Sequence, residues 1–257
     1  MSQTTGQAAR LSVFFPVYND ERTVRQVTEK AIRVCREIAA EFEVIIIDDG
    51  SPDRSGEIAD ELATTHDTVR VIHHNRNLGY GSAVRSGLAT CRYEWICFTD
   101  GDDEYDLYDL KKLWELRDYY DLIITFRYIR RYSGIRNLIS RVYNLVIRRL
   151  FFTRYRDVST GLRLARKTLI DDLTLEATSP FIGAEIAIKT MLKGYRVGEM
   201  GIQTFPRQFG RGGSTSPLNI YRTIVDMLHC HRKVFSPTYE LPIEGERAEA
   251  HRIEPPR

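Results

Sequence analysis

The sequence predicts an α/β protein built on a mainly parallel sheet, and three observations carry that prediction. Five short apolar runs rich in β-branched residues recur through the first half of the 257 residues. Segments with helical apolar spacing lie between them. Polar clusters follow the runs on their carboxyl side, where open α/β sheets bind ligands. Strand–helix alternation of this kind implies right-handed βαβ units.

The strands are expected at LSVFFPV (11–17), EVIIIDD (43–49), TVRVIHH (68–74), EWICFTD (94–100) and DLIITFR (121–127). Helices are expected at 20–39, where Val24, Val27, Ile32, Cys35 and Ile38 mark a stripe, and at 54–65, 80–91 and 106–118. The second half differs. A helix over 134–152 places Ile135, Leu138, Ile139, Val142, Leu145 and Val146 on one face, flanked by Arg141 and Arg148, with Arg136 away from it. VSTGLRLAR (158–166) reads as a strand and 181–194 as a helix ending on Gly194. A strand region at 195–205, a loop rich in Gly and Arg at 207–216 and a last helix at 217–233 follow. The expected organisation is a disordered arm over 1–10, one α/β domain over 11–216, a C-terminal helix over 217–238 and a disordered tail over 239–257. There is no internal repeat.

Composition narrows the class. An apolar fraction of 42% is ordinary for a globular protein. No stretch approaches the ~20 apolar residues of a membrane-spanning helix. The opening MSQTTGQAAR lacks the apolar core of a signal peptide. The cysteines at 35, 91, 97 and 230 form no CxxC pair, so free thiols in a reducing compartment are expected. The expected location is the cytoplasm or the cytoplasmic face of a membrane. Net charge is +2, but Arg127–Lys167 holds twelve Lys/Arg against the single acid Asp157. That asymmetry is a footprint for phosphates, in a ligand or on a membrane surface. Nucleic acid is not the expected partner, because the basic stretch accompanies an apolar stripe and no recognised binding motif.

Four strand-end clusters carry the candidate chemistry. Asp100-Gly101-Asp102-Asp103-Glu104 follows the run WICF almost directly. Clustered carboxylates raise each other's pKa, and a cation removes that cost. An oxygen-only donor set suits Mg²⁺ or Mn²⁺ shared with a diphosphate. The alternative is an acidic loop at a helix start. Ile47-Asp48-Asp49-Gly50-Ser51 offers carboxylates to a base or ribose, or forms a turn with a helix cap. Pro16-Val17-Tyr18-Asn19-Asp20 offers an aromatic and polar groups to a base, or a cap alone. Asn77-Leu78-Gly79-Tyr80-Gly81-Ser82-Ala83 lets a helix N-terminus approach a ligand or the sheet. Its glycines are misplaced for a dinucleotide fingerprint.

PVYND, IIIDDGSPDRS, NRNLGYGSAVRSG and FTDGDDEYD stand in the order and spacing of family-2, GT-A-fold glycosyltransferases, which the chain resembles over about residues 11–216. DVSTGLRLARK, GAEIAIKTMLKGYRVGEM and RQFGRGGS look like the dolichyl-phosphate mannose synthase and polyprenyl-phosphate glycosyltransferase branch. The resemblance implies a GT-A fold and an inverting transfer from a GDP- or UDP-sugar donor to a lipid-phosphate acceptor. It implies that Pro16, Tyr18, Asp20, Ile47 and Asp49 line the nucleoside pocket, and that Asp100, Gly101 and Asp102 handle metal and diphosphate. Glu104 falls where relatives often carry a Gln metal ligand, and Asp20 where the family usually has Glu. Arg127 and Arg207 stand at phosphate-binding positions. The 207–216 loop is longer than the family's and lacks its Lys, with Arg211 as the substitute.

A lipid phosphate is already anionic and requires no general base. A hydroxyl acceptor requires one, and Glu185 is the candidate by position, against a plain helix residue meeting solvent or an Arg. The helix at 134–152, with Arg141 toward an acceptor phosphate, either lies on an anionic membrane surface or packs on the core or on a second subunit as a homodimer. A glycosyltransferase with a saccharide acceptor and a non-catalytic nucleotide-sugar or membrane-binding module are the competing functions.

Overall fold

The computed structural model describes residues 9–129, 134–205, 216–236 and 239. It is an α/β protein with one seven-stranded sheet of order β3-β2-β1-β4-β6-β5-β7. The strands are β1 (Arg10–Val17), β2 (Glu41–Asp48), β3 (Val69–His73), β4 (Trp95–Phe98), β5 (Leu122–Ile129), β6 (Arg163–Arg166) and β7 (Val197–Gln203). The helices are α1 (Val24–Ile38), α2 (Ser55–Thr65), α3 (Tyr80–Thr90), α4 (Leu110–Glu115), α5 (Gly134–Phe151), α6 (Lys167–Asp172), α7 (Ile182–Leu192) and α8 (Pro217–Val234). Pairing is parallel except at β6, which runs antiparallel to both β4 and β5.

Both faces of the sheet are covered, which is why the central strands read as continuous apolar runs. Phe14, Ile45, Ile47, Ile96, Phe98 and Ile124 pack beneath α3, α5, α7 and α8. Val13, Phe15, Val44, Ile46, Cys97 and Ile123 pack against α1, α2 and α4. The four cysteines are buried and free, and burial pushes the Cys35 and Cys91 thiols up to about 12.

Several expected boundaries shift. Arg10, expected in the arm, opens β1; its backbone N–H and its Nε both donate to Glu94. The expected strand 158–166 contracts to 163–166, because 158–162 bends around the site, and α6 follows it unforeseen. The expected helix 106–118 becomes a 3-10 turn, Leu107–Asp109, capped by the Asp106 carboxylate, and then α4.

The amphipathic helix departs most. α5 buries Ile147 and Phe151, with Tyr143, Val146 and Leu150 partly buried against the same core. Leu138, Ile139, Val142 and Leu145 are 40–60% exposed, so of the described stripe only Val146 packs on the core. α8 likewise buries Met227, Cys230 and Val234 and exposes Leu218, Tyr221, Val225 and Leu228. Among the described residues, no helix is long and apolar enough to cross a membrane.

Candidate active site

The carboxyl ends of β1, β2 and β4 meet in a cavity of about 940 Å³. Its first wall is the loop after β1, where Pro16, Val17, Tyr18, Asn19 and Asp20 line it. Asn19 turns the chain with φ of 58°, a conformation Asn tolerates better than most residues. The Tyr18 N–H donates to Asp20 Oδ2 at 3.3 Å, and the Asp20 N–H donates to Ser55 Oγ at 2.9 Å. Thr23 Oγ1 donates to the Gly101 carbonyl at 2.9 Å, which fastens this loop to the acidic run.

Asp49 organises the second wall. Its carboxylate accepts from the backbone of Leu78 at 2.9 Å and Gly79 at 2.9 Å, and pairs with His74 Nδ1 at 2.7 Å. It therefore lines the cavity and at the same time fixes the Asn77–Gly79 turn that starts α3. Asp48 turns away to His73 Nδ1, 2.8 Å, and the Ser51 N–H, 3.0 Å. Ile47 does not line the cavity. Its side chain is fully buried in the core, since alternate residues of β2 point to opposite faces and Ile47 falls toward α3.

Asp100, Gly101, Asp102 and Glu104 all line the cavity. Asp100 Oδ1 accepts from the Tyr80 hydroxyl at 2.7 Å. Burial, reinforced by Asp100, pushes the Tyr80 phenol well above its usual value, so it stays a proton donor. Gly161 backs Asp100: a Cβ there would fall 2.5 Å from its Oδ2. Asp102 is buried and its Oδ1 accepts from the Glu104 N–H at 3.1 Å. Asp103 faces the other way, with φ of 58°, and holds Lys30 Nζ at 2.7 Å and Gln26 Nε2 at 3.0 Å on α1. It pins the acidic turn to α1.

Among the described residues, no three His, Cys, Asp or Glu side chains converge as a ready-made metal cage. Mg²⁺ and its congeners need only one or two carboxylates when phosphate oxygens and waters complete the shell. The hard-oxygen donors Asp100, Asp102 and Glu104, gathered on one cavity wall, fit that requirement.

The opposite half of the cavity is of different character. Ile139, Val142, Tyr143 and Val146 of α5, Val158, Ile182, and Ile220, Ile224 and Met227 of α8 line it. Arg127 lies at its edge, locked in place: Nε donates to Asp157 at 2.9 Å, and Nη2 to Ser159 Oγ at 2.6 Å and Ser140 Oγ at 3.2 Å. Burial pushes the Asp157 carboxyl up, but Arg127 and the Ser159 hydrogen bonds outweigh it and hold it below the usual carboxylate range. Arg141 is exposed and absent from the cavity lining. Arg207 and Arg211 lie outside the described residues.

Glu185 does not join the site. It is 1% exposed and accepts from the backbone of Ala177 at 2.9 Å and from Lys189 Nζ at 2.5 Å. A carboxylate committed to a buried ammonium and backbone donors holds the 176–177 turn onto α7; it is not placed to take a substrate proton. The residue missed by sequence reasoning is Arg163, which lines the cavity from β6. An arginine between Leu162 and Leu164, opening the strand RLAR, was the available signal.

Comparison with known proteins places these observations. A family described as Glycosyl transferase family 2 matches residues 12–174. The undecaprenyl-phosphate 4-deoxy-4-formamido-L-arabinose transferase of Pseudomonas fluorescens is 27% identical over 86% of this chain and 64% of its own length. The transferase of the same name from Proteus mirabilis is 30% identical over 86% of this chain and 67% of its own. The chain thus spans about two thirds of these relatives or slightly less. Among solved structures, glucosyl-3-phosphoglycerate synthase of Mycobacterium tuberculosis with phosphoglyceric acid superposes with a TM-score of 0.69 at 18% identity, over 92% of this chain and 82% of that one. The same synthase with Mn²⁺, UDP-glucose and phosphoglyceric acid gives 0.66 at 18% identity, over 92% and 82%. The shared fold is the GT-A fold.

Proposed function

The chain belongs to glycosyl transferase family 2, and from that premise we propose that it moves a sugar from a GDP- or UDP-sugar to a polyprenyl phosphate, inverting the anomeric carbon. The observation that carries this reading is the two-sided cavity. One half is built of strand-end carboxylates and loop backbone, the other mainly of apolar side chains from α5 and α8, with Arg222 among them. A nucleoside diphosphate suits the first and an isoprenoid chain the second. The names of the similar transferases support the same acceptor class.

In this reading Pro16, Tyr18, Asp20 and Asp49 hold the nucleoside, and Asp100, Asp102 and Glu104 face the diphosphate. A bound Mg²⁺ or Mn²⁺ there supplies charge neutralisation for the departing diphosphate. An acceptor phosphate oxygen forms the bond to the anomeric carbon as the bond to the donor diphosphate breaks, and the electron pair leaves with the nucleoside diphosphate. The attacking oxygen is already anionic, so the reaction asks for no general base, in keeping with the commitment of Glu185 to Lys189. Arg127, held rigidly by Asp157 and two serines, borders the reacting groups without the cost of ordering a flexible side chain.

The exposed apolar residues of α5 and α8 are flanked by exposed Arg141, Arg148, Arg149, Arg222 and Arg232. Such a surface suits peripheral contact with an anionic bilayer, where the acceptor resides.

The test is turnover of a short polyprenyl phosphate with a panel of GDP- and UDP-sugars, with and without Mn²⁺. Asp102→Asn is expected to lose about 10²–10³ in rate, as removal of a fixed transition-state partner does. Turnover of a hydroxyl acceptor but none of the lipid phosphate would overturn the acceptor. Sedimentation with anionic but not neutral liposomes, lost in Leu138→Asp/Leu145→Asp, checks the membrane contact.

A further inference from the structure

Of the two arginines in β6, Arg163 is buried and Arg166 is not. β6 pairs Arg163 with Phe98 of β4 and Ile124 of β5, and alternation sends its side chain to the α5, α7 and α8 side of the sheet. The guanidinium lies 5.6 Å over the Phe98 ring, and the residue is 1% exposed. Nε donates to the Thr160 carbonyl at 3.0 Å, Nη2 to the Val158 carbonyl at 2.6 Å, and Nη1 to the Gly183 carbonyl. A Cβ at Gly183 would fall 2.6 Å from Nη2, so α7 approaches this closely only because position 183 is glycine.

Asp157, already paired with Arg127, reaches this group only through space. Among the described residues no carboxylate lies within ion-pair distance of it. Tyr80 and Tyr143 are nearby, but burial raises both phenols and keeps them neutral. An arginine stays ionised even when buried. A buried charge without a counterion is costly, and three carbonyl dipoles offset only part of that cost. Arg127 is different: Asp157 neutralises it at 2.9 Å. The acidic half of the cavity is thus negative, and the apolar half receives a fixed positive field from the buried Arg163 beside the exposed, solvent-screened Arg222.

We infer that Arg163, more than Arg127, determines specificity for an anionic acceptor by charging the apolar half of the cavity from beneath. This rests on the acceptor class proposed above. Arg163 acts through its field; the carbonyls of Val158, Thr160 and Gly183 hold it in place. It makes the site prefer a prenyl phosphate over the corresponding neutral prenol.

The experiment compares dissociation constants for farnesyl phosphate and farnesol in the wild-type chain and in Arg163→Met and Arg163→Gln. The readout is the ratio within each protein, so a general loss of stability cancels. The preference for the phosphate is expected to fall by about tenfold or more in both neutral variants, through loss of affinity for farnesyl phosphate alone. An unchanged ratio in a folded neutral variant overturns the inference. If neither folds, Arg163→Lys decides. Burial lowers a lysine pKa, so this variant is assayed at about pH 5.5, where the ammonium keeps its charge more fully, and the field account expects the ratio within about threefold of wild type at the same pH. Collapse of the ratio in that variant refutes it. A wild-type chain that prefers farnesyl phosphate but transfers no sugar to it refutes the proposed reaction and leaves this inference standing. Transfer by a wild-type chain, with an unchanged ratio in the neutral variants, does the reverse.

Discussion

Substituting Glu185 by Gln separates a catalytic base from a structural anchor. In the structure Glu185 and Lys189 form an ion pair at 2.5 Å with both side chains 2% exposed. Glu185 also accepts from the backbone of Glu176 at 3.1 Å and Ala177 at 2.9 Å, while Lys189 donates to the Thr174 carbonyl at 2.5 Å. Removing one charge of a buried pair costs about 3–5 kcal/mol, mostly because the other charge is left unpaired. Gln keeps one carbonyl acceptor for the backbone donors, which puts the expected loss near the lower end, about 3 kcal/mol. In a chain of this size each kcal/mol lowers the Tm by about 2–4 °C, so a drop of about 6–12 °C is expected. Urea denaturation and thermal melting measure it. The double variant Glu185→Gln/Lys189→Met is expected to recover much of the loss, since it removes a buried ammonium left with only the more distant Glu176, at 3.8 Å. kcat, measured well below the lowered Tm, is expected to stay within about threefold of wild type, the size of effect left once transition-state contacts are untouched. A kcat loss of about a hundredfold or more with an unchanged Tm would refute the reasoning and restore Glu185 as a base.

Gly161→Ala places a methyl 2.5 Å from Asp100 Oδ2; the displaced carboxylate is expected to cost about 10² in kcat with a native circular dichroism spectrum, as an ångström-scale misplacement does. Asp103→Ala breaks the contacts to Lys30 and Gln26; a stability loss of about 1 kcal/mol is expected for this partly buried pair, read by denaturant titration, with donor affinity falling only as the turn loosens. The hydrogen bond to Asp60, against the opposing effect of burial, and Asp48 favour the protonated form of His73, so its pKa is raised above 6.5. Its contribution to stability is therefore complete below 6.5 and lost as pH rises through the higher folded value; His73→Asn is expected to flatten the stability profile across that window.

Much of the architecture was legible along the chain. The runs at 11–17 and 43–49 carry the period and β-branched content of buried parallel strands, and β1 and β2 fall on them. Asp100, Asp102 and Glu104 were legible because a strand end exposes the residues that directly follow it. The rest depended on contacts distant in sequence. Asp103 and Glu185 read like their acidic neighbours, yet one is bound to α1 and the other to Lys189. Ile47 sits beside two useful carboxylates, but the two-residue period of β2 turns it into the core. The apolar stripe of α5 was visible, while the fact that Leu138, Val142 and Leu145 remain uncovered was not.

By itself the sequence determined the alternation of strands and helices, the turns that end them and the family to which they add up. These follow from local backbone preference and from apolar period, which are written residue by residue. Tertiary structure decided which charges are spent and which are not. Arg127 and Arg163 look alike in sequence, but Asp157 meets the first, while backbone carbonyls and the Phe98 ring meet the second. The worth of a charge is set by what surrounds it in space, and burial in the fold is what turns an ordinary arginine into a fixed field.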